Sequence, residues 1–175
     1  MEWEFYILDY IHKYFSNPIM DIVMKFVSFL GSFGIIWIVI TIILLCTKKH
    51  RTLGRSMTVN LAVNLVACNL IIKPIVARLR PFEFNQSIEL LVSAPMDPSF
   101  PSGHTLFAFA AATIIFIYNK KVGWLMYLFA CIMGFSRLYL YVHFPTDVVF
   151  GAFLGVLLAI VSHFLEKLIF SEKTV

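Results

Sequence analysis

From residue 26 onward the chain reads as long apolar runs separated by short polar connections. A helix that crosses a bilayer needs about 20 mostly apolar residues. Five stretches qualify or nearly do: about Phe26 to Cys46, Ser56 to Ile72, Thr105 to Tyr118, Gly123 to Tyr141 and Val148 to Leu165. In lipid each must be helical, because only a helix satisfies its own backbone hydrogen bonds. The second, third and fifth are short, which predicts that flanking polar residues continue those helices. Residues 1–25 read differently. Trp3, Phe5, Tyr6, Leu8, Tyr10, Ile11, Tyr14 and Phe15 mix with charges until Asn17-Pro18 breaks the run. That mixture predicts an interfacial amphipathic helix, with an extra, more polar span as the alternative. Gly31 and Gly34 could split the first run into short helices. The expectation is an all-α integral membrane bundle of five or six transmembrane helices. Residues 1–25 form its amphipathic N-terminal segment and residues 26–170 its transmembrane domain.

Composition sharpens the class. Of 175 residues, 60% are hydrophobic and only 14% charged, against about 25% charged in a soluble domain. Mean hydropathy is +0.86. A soluble enzyme, a nucleic-acid module and a disordered chain are excluded on these figures. Residues 1–17 lack the basic-then-apolar pattern of a cleavable signal peptide. Cys46, Cys68 and Cys131 each lie in an apolar run without CxxC spacing, so they read as small buried side chains rather than a disulfide or zinc set. Inside the spans, Asn60 and Asn64 share a face and suggest hydrogen bonds between helices. His163 reads as a packing histidine. Gly151-x-x-x-Gly155 permits close helix packing.

The charges are distributed unevenly. Lys48-Lys49-His50-Arg51 through Arg55, Lys120-Lys121, and Lys167 with Lys173 fall on one side of the membrane by parity. The positive-inside rule makes that side cytoplasmic. Lys73, Arg78, Arg80 and Arg137 fall on the opposite side, a local violation of the rule. Something negative must sit among them. Glu83, Glu89 and Asp97 in the following loop could offset part of that charge.

Three segments meet at this outer depth: Lys73 to Pro81, Pro101-Ser102-Gly103-His104, and Ser136-Arg137 to Asp147. Lys73 and Arg80 are seven apart and share a helical face if Pro74 does not break it. Arginine offers phosphate oxygens a planar donor fork and lysine a point charge. A helix starting at Ser102-Gly103-His104 would aim free N–H groups at an anion, with Ser102 as a possible N-cap. His143 and Asp147 are four apart, so the carboxylate could hold one imidazole nitrogen and leave the other to attack. His104 could protonate a leaving oxygen.

Together these segments resemble the three-part signature of the type 2 phosphatidic acid phosphatase superfamily, K-x6-R-P, P-S-G-H and S-R-x5-H-x3-D, matched without departure over residues 73–147. The resemblance implies a phosphatase that needs no metal or other cofactor and works through a phosphohistidine. It implies His143 as nucleophile, Asp147 as its orienting partner and His104 as general acid. Lys73, Arg80, Ser102, Gly103 and Arg137 would hold the phosphoryl oxygens. Arg78 lies outside the signature and reads first as a surface charge, with a contact behind the site or to the headgroup as the alternative. A site level with headgroups suits a phospholipid or polyprenyl phosphate substrate within the membrane, and no nucleic-acid partner is expected. The expected location is the plasma membrane, with the site extracytoplasmic and the C-terminus cytoplasmic. Undecaprenyl diphosphate ranks first, phosphatidylglycerophosphate or phosphatidate second. A lipid phosphotransferase would share every residue. A transporter would instead spread its charges along the spans.

Overall fold

A computed structural model describes residues 2–85 and 88–171, and every regular element among them is helical. Helix α1 is Glu2–Phe15, α2 is Pro18–Gly31 and α3 is Ile35–Cys46. Helix α4, Arg51–Asn64, passes into a π-helical stretch, Leu65–Ile72, and then α5, Lys73–Val76. A short α6, Pro81–Phe84, precedes the long loop. Helices α7 (Gly103–Tyr118), α8 (Lys120–Tyr139) and α9 (Pro145–Ser171) complete the bundle.

Local chemistry places the breaks. Asn17 caps α2 by accepting from the Met20 N–H at 3.0 Å, with Pro18 in the first turn. Asn119 caps α8 in the same way through Val122. Between α2 and α3, Ser32–Gly34 forms a 3-10 turn, and Gly34 adopts φ +67°, a left-handed conformation that glycine takes without penalty. The two helices meet there at 52°. The first apolar run is thus divided at its glycines.

Among the described residues three stretches are long and apolar enough to cross a membrane: Lys48–Phe84, Lys120–Tyr139 and Pro145–Phe170. The bent α2–α3 pair makes a fourth if taken as one span, and α7 is a shorter apolar helix of 16 residues. All five apolar runs are therefore helical. With 14 residues, α1 is too short to add a crossing.

The 16-residue α7 is the centre of the packing. Ala108, Ala110, Ala111, Ala112 and Ile114 are fully buried. Small side chains let neighbouring backbones come close where lipid offers little hydrophobic drive between helices. Gly155 of α9 shows how close: a Cβ there would lie 2.4 Å from the Leu106 carbonyl oxygen. Large apolar side chains, among them Ile42, Leu70, Leu128, Phe153 and Leu168, are exposed on the outside of the helices.

The asparagine pair and two of the cysteines differ from expectation, and His163 does not. Asn64 donates to the Asn60 carbonyl at 2.6 Å and to its side-chain oxygen at 2.8 Å, so the pair bonds within one helix rather than between two. Of the cysteines only Cys68 is buried; Cys46 and Cys131 are exposed on the apolar surface. His163 packs edge-on against Tyr118.

The two ends of the bundle are chemically distinct. Tyr118 bonds Ser56 at 2.8 Å, and Arg55 covers the Phe170 ring, so the basic connections and the end of α9 gather together. Lys173 lies outside the described residues. At the opposite end α1 and α2 pack on the α8–α9 connection, with Tyr141 donating to Asp9 and Tyr139 to Asp21. Helix α2 runs unbroken through position 25, where the sequence suggested a change from interfacial segment to spanning domain.

Candidate active site

Lys73 and Arg80 do not share a helical face. Helix α5 ends at Val76, Ala77 takes φ +46°, and Arg80 opens α6 ahead of Pro81. The chain turns back between them, and the two cations meet instead on Asp97. Its Oδ2 pairs with Lys73 Nζ, and its Oδ1 accepts from Arg80 Nη2 at 3.0 Å. Lys73 and Arg80 hold this carboxyl below the ordinary carboxylate range, although burial by itself acts the other way.

His143 lies just beyond α8, its side chain 2% exposed. Arg80 Nη1 stands 3.3 Å from its Nε2. A guanidinium can only donate, so Nε2 carries the lone pair and Nδ1 the hydrogen. Burial pushes this imidazole down to about 3, helped by Arg80 and Arg137 and opposed by Asp147. At neutral pH it is an uncharged ring whose Nε2 lone pair faces the Arg80 guanidinium in the cavity.

Asp147 stands behind His143 but not in direct hydrogen-bond contact, since Oδ2 lies 3.6 Å from Nδ1. Ser99 fills the gap. Its hydroxyl is 2.5 Å from Asp147 Oδ2 and 3.4 Å from His143 Nδ1. The Phe144 N–H also donates to Oδ2, at 2.8 Å. The other oxygen, Oδ1, is held by Arg78 Nη1 at 2.6 Å. Arg78 is therefore no surface charge. It also reaches Glu4 at 2.8 Å and Thr146 at 2.7 Å, and stacks on the Phe144 ring.

His104 and Arg137 close the ring of groups. The His104 ring is hydrogen-bonded to the backbone of Ser28, and its Nε2 is buried without a partner. Arg137 Nη1 donates to the Ser28 hydroxyl, and its Nε has no partner. Arg137 is 3% exposed, and no carboxylate pairs with it among the described residues. Gly31 allows His104 its position, because a Cβ there would lie 2.7 Å from His104 Cδ2.

Lys73, Arg80, Gly103, His104, Arg137 and His143 line one cavity of about 1210 Å³. Its remaining wall is largely apolar, with Ile38, Leu61, Leu65 and Phe107. The cavity therefore joins a cationic end to a wall suited to hydrocarbon. Ser102 and Asp147 are fully buried outside this lining. Ser102 takes the N-cap position of α7, but its hydroxyl bonds Thr105 at 2.9 Å rather than capping the helix. Among the described residues no three histidine, cysteine or carboxylate side chains are grouped to hold a metal ion.

Sequence reasoning brought the motif residues together and missed Ser99, Ser28, Gly31 and Glu4. Ser99 stands two residues before Pro101-Ser102-Gly103-His104, a proximity that could have flagged it. Glu4, Ser28 and Gly31 lie in the N-terminal region, which carries no motif signal.

The chain is similar to known proteins. An undecaprenyl-diphosphatase of Sulfolobus acidocaldarius is 34% identical over 130 residues, 73% of this chain and 63% of that protein. The chain thus spans a little under two thirds of that relative. The bacitracin transport permease protein BcrC of Bacillus licheniformis is 29% identical over 147 residues, 82% of this chain and 68% of its own. The crystal structure of a transmembrane PAP2-type phosphatidylglycerolphosphate phosphatase from Bacillus subtilis aligns with a TM-score of 0.73 at 26% identity, covering 99% of this chain and 87% of that one. The sequence profile of the PAP2 superfamily matches residues 52–169, from α4 through α9 and across all three motif segments, and the chain belongs to that superfamily.

Proposed function

We propose that this multi-pass membrane protein is a lipid phosphatase that removes a phosphoryl group through a phosphohistidine at His143. The observation that carries the reading is Arg137. It is a buried cation with no carboxylate partner among the described residues, and it lines the same cavity as His143. A buried unpaired charge costs several kcal/mol, and an anionic ligand beside it would offset that cost.

The chemistry follows from the groups present. His143 Nε2 attacks phosphorus, an N–P bond forms, and the P–O bond to the leaving group breaks. With the phosphoryl group bound, His104 acts as the imidazolium: the leaving oxygen takes its Nε2 proton and the ring is left neutral. Water then attacks phosphorus, the N–P bond breaks and His104 recovers a proton. Arg80, Arg137 and Lys73 stabilise the charge on the phosphoryl oxygens through fixed positive groups. Ser99 and Asp147 hold the His143 tautomer that keeps the hydrogen on Nδ1 and the lone pair on Nε2.

Undecaprenyl diphosphate is the preferred substrate, supported by the name of the archaeal relative and by the apolar wall that continues from the cationic end. Phosphatidylglycerophosphate is the second reading, favoured by the Bacillus subtilis structure that covers nearly the whole chain. Transport fits less well, because the buried cations Lys73, Arg80 and Arg137 gather at one end instead of lining the spans. The basic connections at the opposite end favour a site on the extracytoplasmic face and a cytoplasmic C-terminus.

The test is phosphate release by the purified protein from undecaprenyl diphosphate, phosphatidylglycerophosphate and phosphatidate, with His143→Ala alongside. Release by the parent and none by the variant, which still inserts and purifies, supports the reading. Equal release by both removes the nucleophile.

A further inference from the structure

Asp97 stands where the phosphatase reading needs the substrate. Its two oxygens bridge Lys73 and Arg80 as two oxygens of a phosphoryl group would. The fork between these cations cannot hold both a carboxylate and a phosphoryl group. The Asp97 side chain is 53% exposed, whereas those of Lys73 and Arg80 are 8% and 3% exposed. The carboxylate therefore has a route to solvent that its partners lack.

The main chain beside it is fixed. Arg80 Nε donates to the Asp97 carbonyl at 2.8 Å, and the Ser99 N–H donates to the Arg78 carbonyl at 2.8 Å. Ser99 is in turn bonded to Asp147. Rotation of the Asp97 side chain between staggered positions would carry the carboxylate out of the fork. The loop and the Ser99–Asp147 contact would stay in place.

We infer that Asp97 is an internal ligand of the phosphoryl site: its carboxylate competes with the phosphoryl group for Lys73 and Arg80, and returns to them to expel orthophosphate. The inference rests on the phosphatase reading of the cavity. A lipid substrate brings a phosphoryl group of higher charge together with a hydrocarbon tail, and the two displace the carboxylate. Orthophosphate has lost the tail. It then faces a tethered competitor whose effective concentration is set by the short covalent connection.

A scaffolding role for Asp97, holding the two cations in position, predicts the opposite sign. The test uses the full chain in detergent, with orthophosphate and orthovanadate as probes. The readouts are inhibition constants and the shift of the thermal unfolding midpoint. Asp97→Asn is expected to lower the orthophosphate inhibition constant at least fivefold and to enlarge the thermal shift at a fixed probe concentration. Asp97→Ser, which removes the same charge with a smaller side chain, must agree in sign. Asp97→Glu restores the competing charge and is expected to bring the constant back towards the parent value. Unchanged or weaker binding in both neutral variants overturns the inference. Turnover in the parent without tightening in the variants removes the internal ligand alone. Tighter orthophosphate binding in the variants without lipid turnover in the parent removes the phosphatase reading and leaves the competition standing.

Discussion

The Ser99 hydroxyl donates to Asp147 across 2.5 Å, and this contact places an oxygen between the carboxylate and the imidazole of His143. His143 Nδ1 is nearer to Ser99 than to Asp147, at 3.4 Å against 3.6 Å. Ser99→Ala is expected to lower kcat about 10- to 100-fold, the range seen when an outer partner of an active group is lost. KM should change little, because Ser99 does not line the cavity. Steady-state kinetics with the preferred lipid phosphate checks this, and a loss confined to KM would contradict the role.

Glu4 ties the first helix to the site. It is 4% exposed, pairs with Arg78 at 2.8 Å and accepts from Thr146 at 2.6 Å. Removing one partner of a fully buried pair costs about 3–5 kcal/mol. Arg78 is 22% exposed and keeps Asp147 as a partner, so Glu4→Ala should cost roughly 1–3 kcal/mol after that discount. Thermal unfolding in detergent reads the loss, and an unchanged midpoint would show that α1 docks without this contact.

Gly31 sets the position of His104. A methyl group there would press on His104 Cδ2 at 2.7 Å and on the Met133 methyl at 2.9 Å. Met133 can yield, but the ring is bounded by Ser28 on the same helix. Gly31→Ala should leave the helical content intact and reduce kcat about tenfold or more, since misplacing a reacting group by 1 Å can cost about 100-fold. Circular dichroism and kinetics on the same preparation separate the two effects.

His143 should stay neutral as pH falls through the ordinary histidine value of 6.5, taking up a proton only near about 3. Below 6.5 the unfolded chain holds a proton on this ring that the folded chain lacks. The ring therefore destabilises the fold progressively as pH falls from 6.5 towards 3. Histidine-labelled NMR, with His143→Gln to assign the signal, should show no titration near pH 6.5. A midpoint there would contradict the buried neutral ring.

Much of this arrangement was legible in the chain. Each of the five apolar runs is helical, and Lys73, Arg80, His104, Arg137 and His143 meet on one cavity although they span 71 positions in sequence. Membrane burial makes such reading possible, because apolar length and cation placement are strong signals. The turn at Ala77 was hidden: a left-handed alanine has no composition signal, and helical spacing alone put Lys73 and Arg80 on one face. Arg78 was misjudged for a related reason, since its partners Glu4 and Asp147 lie 74 and 69 residues away. Ser28 and Glu4 look ordinary in a region that mixes aromatic and charged residues. Only packing shows what they touch.

The bond between Thr146 and Glu4 joins residues 142 positions apart. During synthesis α1 leaves the ribosome long before α9 exists, so Glu4 must wait for its partners while the intervening helices insert. Arg78 and Asp147 then dock against a helix made well before α9. The nascent chain cannot finish this end of the bundle helix by helix, and the contacts behind His143 are complete only when α1 and α9 are brought together.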